Sequence, residues 1–213
     1  MANCPAKDLY FVHIPKNAGS SIEEVGLDHD VKWGKEFFNQ KLYKFFLNGK
    51  LVSLAHWHLP YGVRKYDREP DKCFCVVRNP YEKIVSSYNY HSRNFAQIQE
   101  LTLNEYIDEA LKSFFVNEFS LDNHQRQQSE YVFYKGEKVI ENILRFENIS
   151  EDFKKLTGLE LSKKVNSSPV DACTIEDISD KNIHLINYFY HEDFENFGYE
   201  RIIRQKRRTY RYY

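Results

Sequence analysis

No run of about 18 apolar residues occurs in the 213-residue chain, which excludes a membrane-spanning helix of ordinary length. The first apolar run is only Leu9 to Ile14, and MANCPAKDLYFVHIPK lacks the charged and apolar regions of a signal peptide. The expectation is a cytoplasmic chain with no membrane anchor. Cysteine is scarce too: Cys4, Cys73, Cys75 and Cys173 include no CxxC pair and no zinc-like spacing. Cys73 and Cys75 alternate inside an apolar run and read as small buried hydrophobes, so reduced thiols are expected. The sequon at Asn148-Ile149-Ser150 then has no consequence. Net charge is also nearly absent, at −1, so no global field draws the chain to nucleic acid or membrane, and electrostatic recognition has to be local. Without repeats, low-complexity linkers or a defensible boundary, residues 1–200 read as one domain and 201–213 as a basic, aromatic tail.

What is present is an ordinary globular composition, 42% hydrophobic and 29% charged, enriched by 16 Tyr and 16 Phe. Leu9–Ile14 reads as a first strand running into a small-residue loop. Ser20 with Glu23, or Ser21 with Glu24, offers a capping box for a helix. An aromatic helical stretch is expected from Phe37 to Leu47, stopped at Asn48-Gly49. LVSLA (51–55), KCFCVV (72–77) and ENILRF (141–146) read as further strands. Pro80 opens a helix after Arg78-Asn79, and Thr102 to Glu105 caps another through about Lys112. NHQRQQSEYV reads as helical, SEDFKKLTG as a short helix capped by Ser150 and stopped by Gly158. Ile183, Ile186, Tyr190 and Phe194 share one face of a last helix. Strands separated by helices predict an α/β fold, a central parallel sheet flanked by helices.

Two constellations carry chemistry. In HIPKNAGSS a strand feeds a helix through Lys16, Asn17, Ala18, Gly19, Ser20 and Ser21; backbone N–H groups at a helix N-terminus, a lysine and hydroxyls make an anion cradle. The same residues also suit a tight connecting turn with incidental serines. The Walker pattern GxxxxGK[ST] fails, because Lys16 precedes Gly19. In RNPYEKIVSSY, Arg78 leaves a strand end and Ser86 falls eight residues later, a fork and a hydroxyl that together suit a phosphate. Alone, Arg78 reads equally as a surface ion pair. In the HWH segment, His56 and His58 point to one side of an extended chain. They suit a base, a metal pair lacking a third ligand, or a plain core role.

Together the two motifs resemble the signature of sulfotransferases that use 3′-phosphoadenosine 5′-phosphosulfate (PAPS). The similarity is greatest to the carbohydrate sulfotransferases of heparan and chondroitin and their bacterial relatives. It extends through AHWHLPYG, LRFENISEDF, KKVNSSP and YFYHEDFENFGY. The resemblance implies a P-loop-like sandwich and transfer of a sulfuryl group to an acceptor hydroxyl, that of a carbohydrate above all, with adenosine 3′,5′-bisphosphate as product and no metal. It implies a 5′-phosphosulfate loop at Lys16–Ser21 and a 3′-phosphate site at Arg78 and Ser86. Ser167 falls near the nucleotide, and His58 is the base, with His56 as assistant or alternate. The family's Golgi members carry an anchor and stem absent from this sequence, and Asn17-Ala18 replaces a common Thr-Gly or Thr-Ala. Arg126 is a candidate ligand contact or a solvated helix residue, and Glu147 reads first as an ion pair. The competing readings are a P-loop-type phosphotransferase and a catalytically silent nucleotide-binding module.

Overall fold

The structure, a computed structural model, describes residues 5–33, 44–47, 50–53, 70–117, 120–161 and 172–204. In chain order these form β1 (Tyr10–Val12), α1 (Gly19–Asp28), β2 (Lys44–Leu47), β3 (Lys50–Ser53), β4 (Cys73–Val77) and α2 (Pro80–Asn94). There follow α3 (Leu103–Val116), β5 (Phe133–Tyr134), β6 (Glu137–Lys138), β7 (Asn142–Arg145), α4 (Ile149–Thr157), α5 (Asp180–Phe189) and α6 (His191–Phe197). Short helical turns complete the described residues.

The sheet that organises the molecule has three parallel strands in the order β1-β4-β7. Its middle strand is the uninterrupted apolar run Cys-Phe-Cys-Val-Val, and all five residues are buried. A parallel strand covered on both faces needs such a run, since neither set of alternating side chains meets water. The pleat divides them. Phe11, Phe74, Val76 and Leu144 join Ile22 and Val25 of α1, Trp33 and Phe153 of α4 on one side. Tyr10, Val12, Cys73, Cys75 and Val77 join Tyr131, Val132, Ile140 and Phe197 on the other. Trp33 packs edge-on to both Phe74 and Phe153, with centroids 5.3 and 5.9 Å apart, and its indole N–H donates to the Leu9 carbonyl. A further core joins α2, α3, α5 and α6 through Ile84, Ile107, Ile186 and Phe194.

Register sets what the sheet presents. Val12 pairs with Cys75, and Val77 with Arg145. The chain therefore leaves β1 and β4 at the same edge, where open α/β sheets bind ligands beyond their strand ends. Both exits lead into helices. Asn79 caps α2 by accepting from the Tyr81 N–H at 3.0 Å, with Pro80 in the first turn as expected. The capping box at Thr102 and Glu105 forms in full, and Gly158 ends α4 at φ 74°.

Several local expectations are corrected. Lys44–Leu47 is a strand, paired antiparallel with Lys50–Ser53, rather than the end of an aromatic helix. Leu47 pairs with Lys50, and the stop expected at Asn48-Gly49 lies outside the described residues. Of LVSLA, Leu51, Val52 and Ser53 belong to this two-stranded pair, outside the three-stranded sheet, and the rest lies outside the described residues. Ser20 and Ser21 lie inside α1, which begins at Gly19 with Ala18 as its cap residue and no side-chain cap bond from it. Ser150 lies inside α4 instead of capping it. In NHQRQQSEYV only Ser129–Val132 is helical, because Leu121, Asp122 and Asn123 all take positive φ and break the chain's helical course. Arg126 is buried, not solvated, and pairs with Glu130. The last helix is two, α5 and α6, with all four marked residues buried. Residues 201–204, the start of the expected tail, are tied down: Arg201 pairs with Glu195, Ile202 N–H donates to Tyr81, and Arg204 pairs with Asp180.

Among the described residues, no helix is long and apolar enough to cross a membrane. Cys73 and Cys75 are fully buried thiols, and burial pushes the Cys75 thiol far up.

Candidate functional site

Between β1 and α1 the backbone bends sharply, with Lys16 at φ 69° and Ala18 at φ 63°. Left-handed geometry in non-glycine residues is costly and clusters at ligand-binding turns, where it swings successive N–H groups toward one side. Among the first N–H groups of α1, that of Ser21 turns back to the Ala18 carbonyl at 3.0 Å, while Ala18 offers no side-chain cap and no acidic residue stands in the first turn. The helix end therefore carries partial positive charge. Glycine is required at position 19 for space: a Cβ there would fall 2.0 Å from the His13 Nε2. His13 is held in that place by Glu23 of α1, whose carboxylate lies 2.8 Å from its Nδ1 in a buried pair. Asn17, fully buried, donates to the Val76 carbonyl at 2.7 Å and so fastens the loop to the end of β4.

Lys16 does not extend into solvent. Its ammonium lies 3.9 Å from the centroid of the Tyr90 ring. Burial, followed by the charges of Arg78, Arg93 and Lys83, pulls its pKa down to about 7. Positive charge is thus concentrated around Lys16. Arg78 arrives from the adjacent strand. Its Nε and Nη2 donate to Glu82 at 3.1 and 2.9 Å, Nη1 comes within 3.5 Å of the Lys16 carbonyl, and the guanidinium lies 4.0 Å from the centroid of the Phe146 ring. The ion pair read as Arg78's alternative role is thus present, and it is half-exposed, in the class worth under about 1 kcal/mol. Three contacts leave part of the five-donor fork for a ligand.

Ser86 stands one helical turn from both Glu82 and Tyr90 on the same stripe of α2, so it lies between the Arg78 and Lys16 charges. The loop residues 16–21, Arg78 and Ser86 are therefore brought to one edge of the sheet. His56, His58 and Ser167 lie outside the described residues, as do Cys4 and the end of the tail, 205–213. Among the described residues Glu147 has no ion pair; it accepts from the Asn79 N–H at 3.0 Å and the Tyr199 hydroxyl at 3.1 Å, bracing the turn that carries Arg78.

Sequence reading missed Lys83, Tyr90 and Arg93. Their signal was available: with Ser86 they recur at spacings of 3, 4 and 3 along α2. It also missed Gln128, whose side chain bonds both Asn17 and Arg78, and Asp193, which holds the Gln128 backbone. No local signal marks either, since both reach the site from distant chain. Beneath Tyr90, the rings of His91 and His124 lie 4.7 Å apart, and burial with the nearby Lys16 charge holds His91 down at about 4, neutral near pH 7. Among the described residues no His, Cys, Asp and Glu cluster suits a metal ion. No family model, curated protein or solved structure matches the chain.

Proposed function

We propose that the protein is a PAPS-dependent sulfotransferase with a P-loop-like fold, acting on an acceptor hydroxyl, in the first place that of a carbohydrate. The observation that carries this reading is the approach of the Arg78 guanidinium to within 3.5 Å of the Lys16 carbonyl. Two anion-seeking motifs, 62 residues apart in the chain, stand side by side, as a ligand with two anionic ends requires. The fit of such a ligand is supported by the helix N-terminus at Gly19 and by the charges of Arg78, Arg93 and Lys83 around Lys16, both of which favour a bound anion.

In this reading the loop N–H groups hold the phosphosulfate, and Arg78 with Ser86 holds the 3′-phosphate. Anchoring that remote phosphate orients the reacting sulfur. The acceptor oxygen attacks sulfur in line as the bond from sulfur to the bridging oxygen breaks. Lys16 stabilises the charge that grows on that departing oxygen, and adenosine 3′,5′-bisphosphate leaves. His58, with His56 as assistant or alternate, takes the acceptor proton, a role typically worth about 10²–10⁴-fold. Ser167 is assigned to the nucleotide side. No step calls for a metal.

The test is transfer of labelled sulfate from PAPS, without magnesium, across glycans, small phenols and peptides. Transfer to at least one acceptor class is expected, and His58→Ala should abolish it while leaving adenosine 3′,5′-bisphosphate binding nearly intact. Bisphosphate binding without transfer to any acceptor would favour a silent binding module. Magnesium-dependent stabilisation by ATP alone would favour a phosphotransferase.

A further inference from the structure

Gln128 belongs to neither anion motif, yet it touches both. Its Oε1 accepts from Asn17 Nδ2 at 2.7 Å and from the Arg78 N–H at 2.8 Å, while its Nε2 donates to the Arg78 carbonyl at 2.8 Å. One planar amide thus clasps the Arg78 residue at both backbone groups and holds, by the same oxygen, the loop residue after Lys16. The side chain is fully buried. Its own position is fixed from α6, where Asp193 accepts from the Gln128 N–H at 2.9 Å, from Gln128 Nε2 at 3.3 Å and from the Ser129 N–H at 2.7 Å. Lys83 of α2 secures the chain just before it, donating to the carbonyls of His124 and Arg126 at 2.7 and 3.1 Å.

The chemistry of the position is narrow. Both amide donors and the amide oxygen are in use, so glutamate at 128 would set a carboxylate against the Arg78 carbonyl and Asp193, and asparagine would fall a methylene short. A tie of this kind has a function beyond stability when two groups must act on one ligand. The second contact of a two-ended ligand gains from effective concentration only while the spacing of the two binding groups is held.

We infer that Gln128 is a positioning residue that fixes the spacing and orientation of the Lys16 loop relative to Arg78, so that both grip a single nucleotide. This rests on the nucleotide reading above. Gln128 touches neither anion; it acts through Asn17 and Arg78.

The experiment compares adenosine 3′,5′-bisphosphate with 5′-AMP and 3′-AMP on the full chain and on Gln128→Ala and Gln128→Glu, by calorimetry without magnesium. The quantity read is the affinity advantage of the bisphosphate over the better monophosphate. That advantage should fall about tenfold or more in both variants, while each monophosphate binds within about twofold of the parent. An unchanged advantage in variants that keep the parent's unfolding temperature would overturn the inference. So would a loss shared equally by all three ligands, which marks a merely structural role. Should neither variant unfold cooperatively, the same comparison is made with Asp193→Asn, which loosens the anchor of Gln128, and an unchanged advantage there overturns the inference too. A parent chain with no preference for the bisphosphate would instead remove the nucleotide reading, leaving the two failures distinct.

Discussion

Lys16 places its ammonium against the Tyr90 ring, and the resulting electrostatics work in two directions. Burial, then Arg78, Arg93 and Lys83, lowers its pKa from 10.5 to about 7. The unfolded chain keeps that proton through the ordinary lysine range, so over this window the folded protein binds fewer protons. This group's contribution to stability therefore rises with pH from about 7 toward 10.5. A bound anion reverses the shift by favouring the charged form, so binding takes up a proton and affinity falls as pH climbs above about 7. Calorimetry of adenosine 3′,5′-bisphosphate near pH 8, in two buffers of different ionisation enthalpy, reads the uptake. The ligand's phosphates, with a second pKa of about 6, are already unprotonated there. Uptake of up to about one proton is expected, and its loss in Lys16→Met. Zero uptake by the parent chain would remove Lys16 from the proposed anion site.

Helix ends show how far local pattern reaches. At Thr102 the capping box forms as written, with the Glu105 carboxylate accepting from the Thr102 N–H at 2.8 Å and the hydroxyl accepting from the Glu105 N–H at 3.3 Å. Thr102→Ala should lower stability by about 1 kcal/mol in urea unfolding while bisphosphate affinity stays at the parent value. A matching loss of affinity would tie the start of α3 to the nucleotide. The same pattern at Ser20 and Glu23 fails because Glu23 is drawn to His13, a buried partner ten residues earlier, and the helix opens at Gly19. Tertiary demand overrode the local signal there. At Lys44–Leu47 the error lay in the choice of period, since a short aromatic run suits a strand as well as a helix. The continuous run Cys73–Val77 was legible because a fully buried strand leaves little alternative reading.

Across the whole molecule, parallel pairing converts two separate motifs into one edge. Lys16, Gly19, Arg78 and Ser86 were legible one motif at a time, since each stretch carries its own chemistry. The braces were not. Gln128 lies 111 residues from Asn17 and 50 from Arg78, and Asp193 lies 65 beyond Gln128, so only the folded chain relates them. The basis for the proposed shared site is the β1-β4 pairing, which sets the exits of both strands together. If one nucleotide spans that edge, its two ends report on different residues. The most direct measurement is the affinity of the parent chain and of Arg78→Ala for adenosine 3′,5′-bisphosphate and for 5′-AMP, without magnesium. The bisphosphate should bind the parent well above 5′-AMP, and Arg78→Ala should erase that preference while holding 5′-AMP nearly as before. A preference that survives the substitution, or one absent from the parent, would contradict a single ligand gripped at both ends.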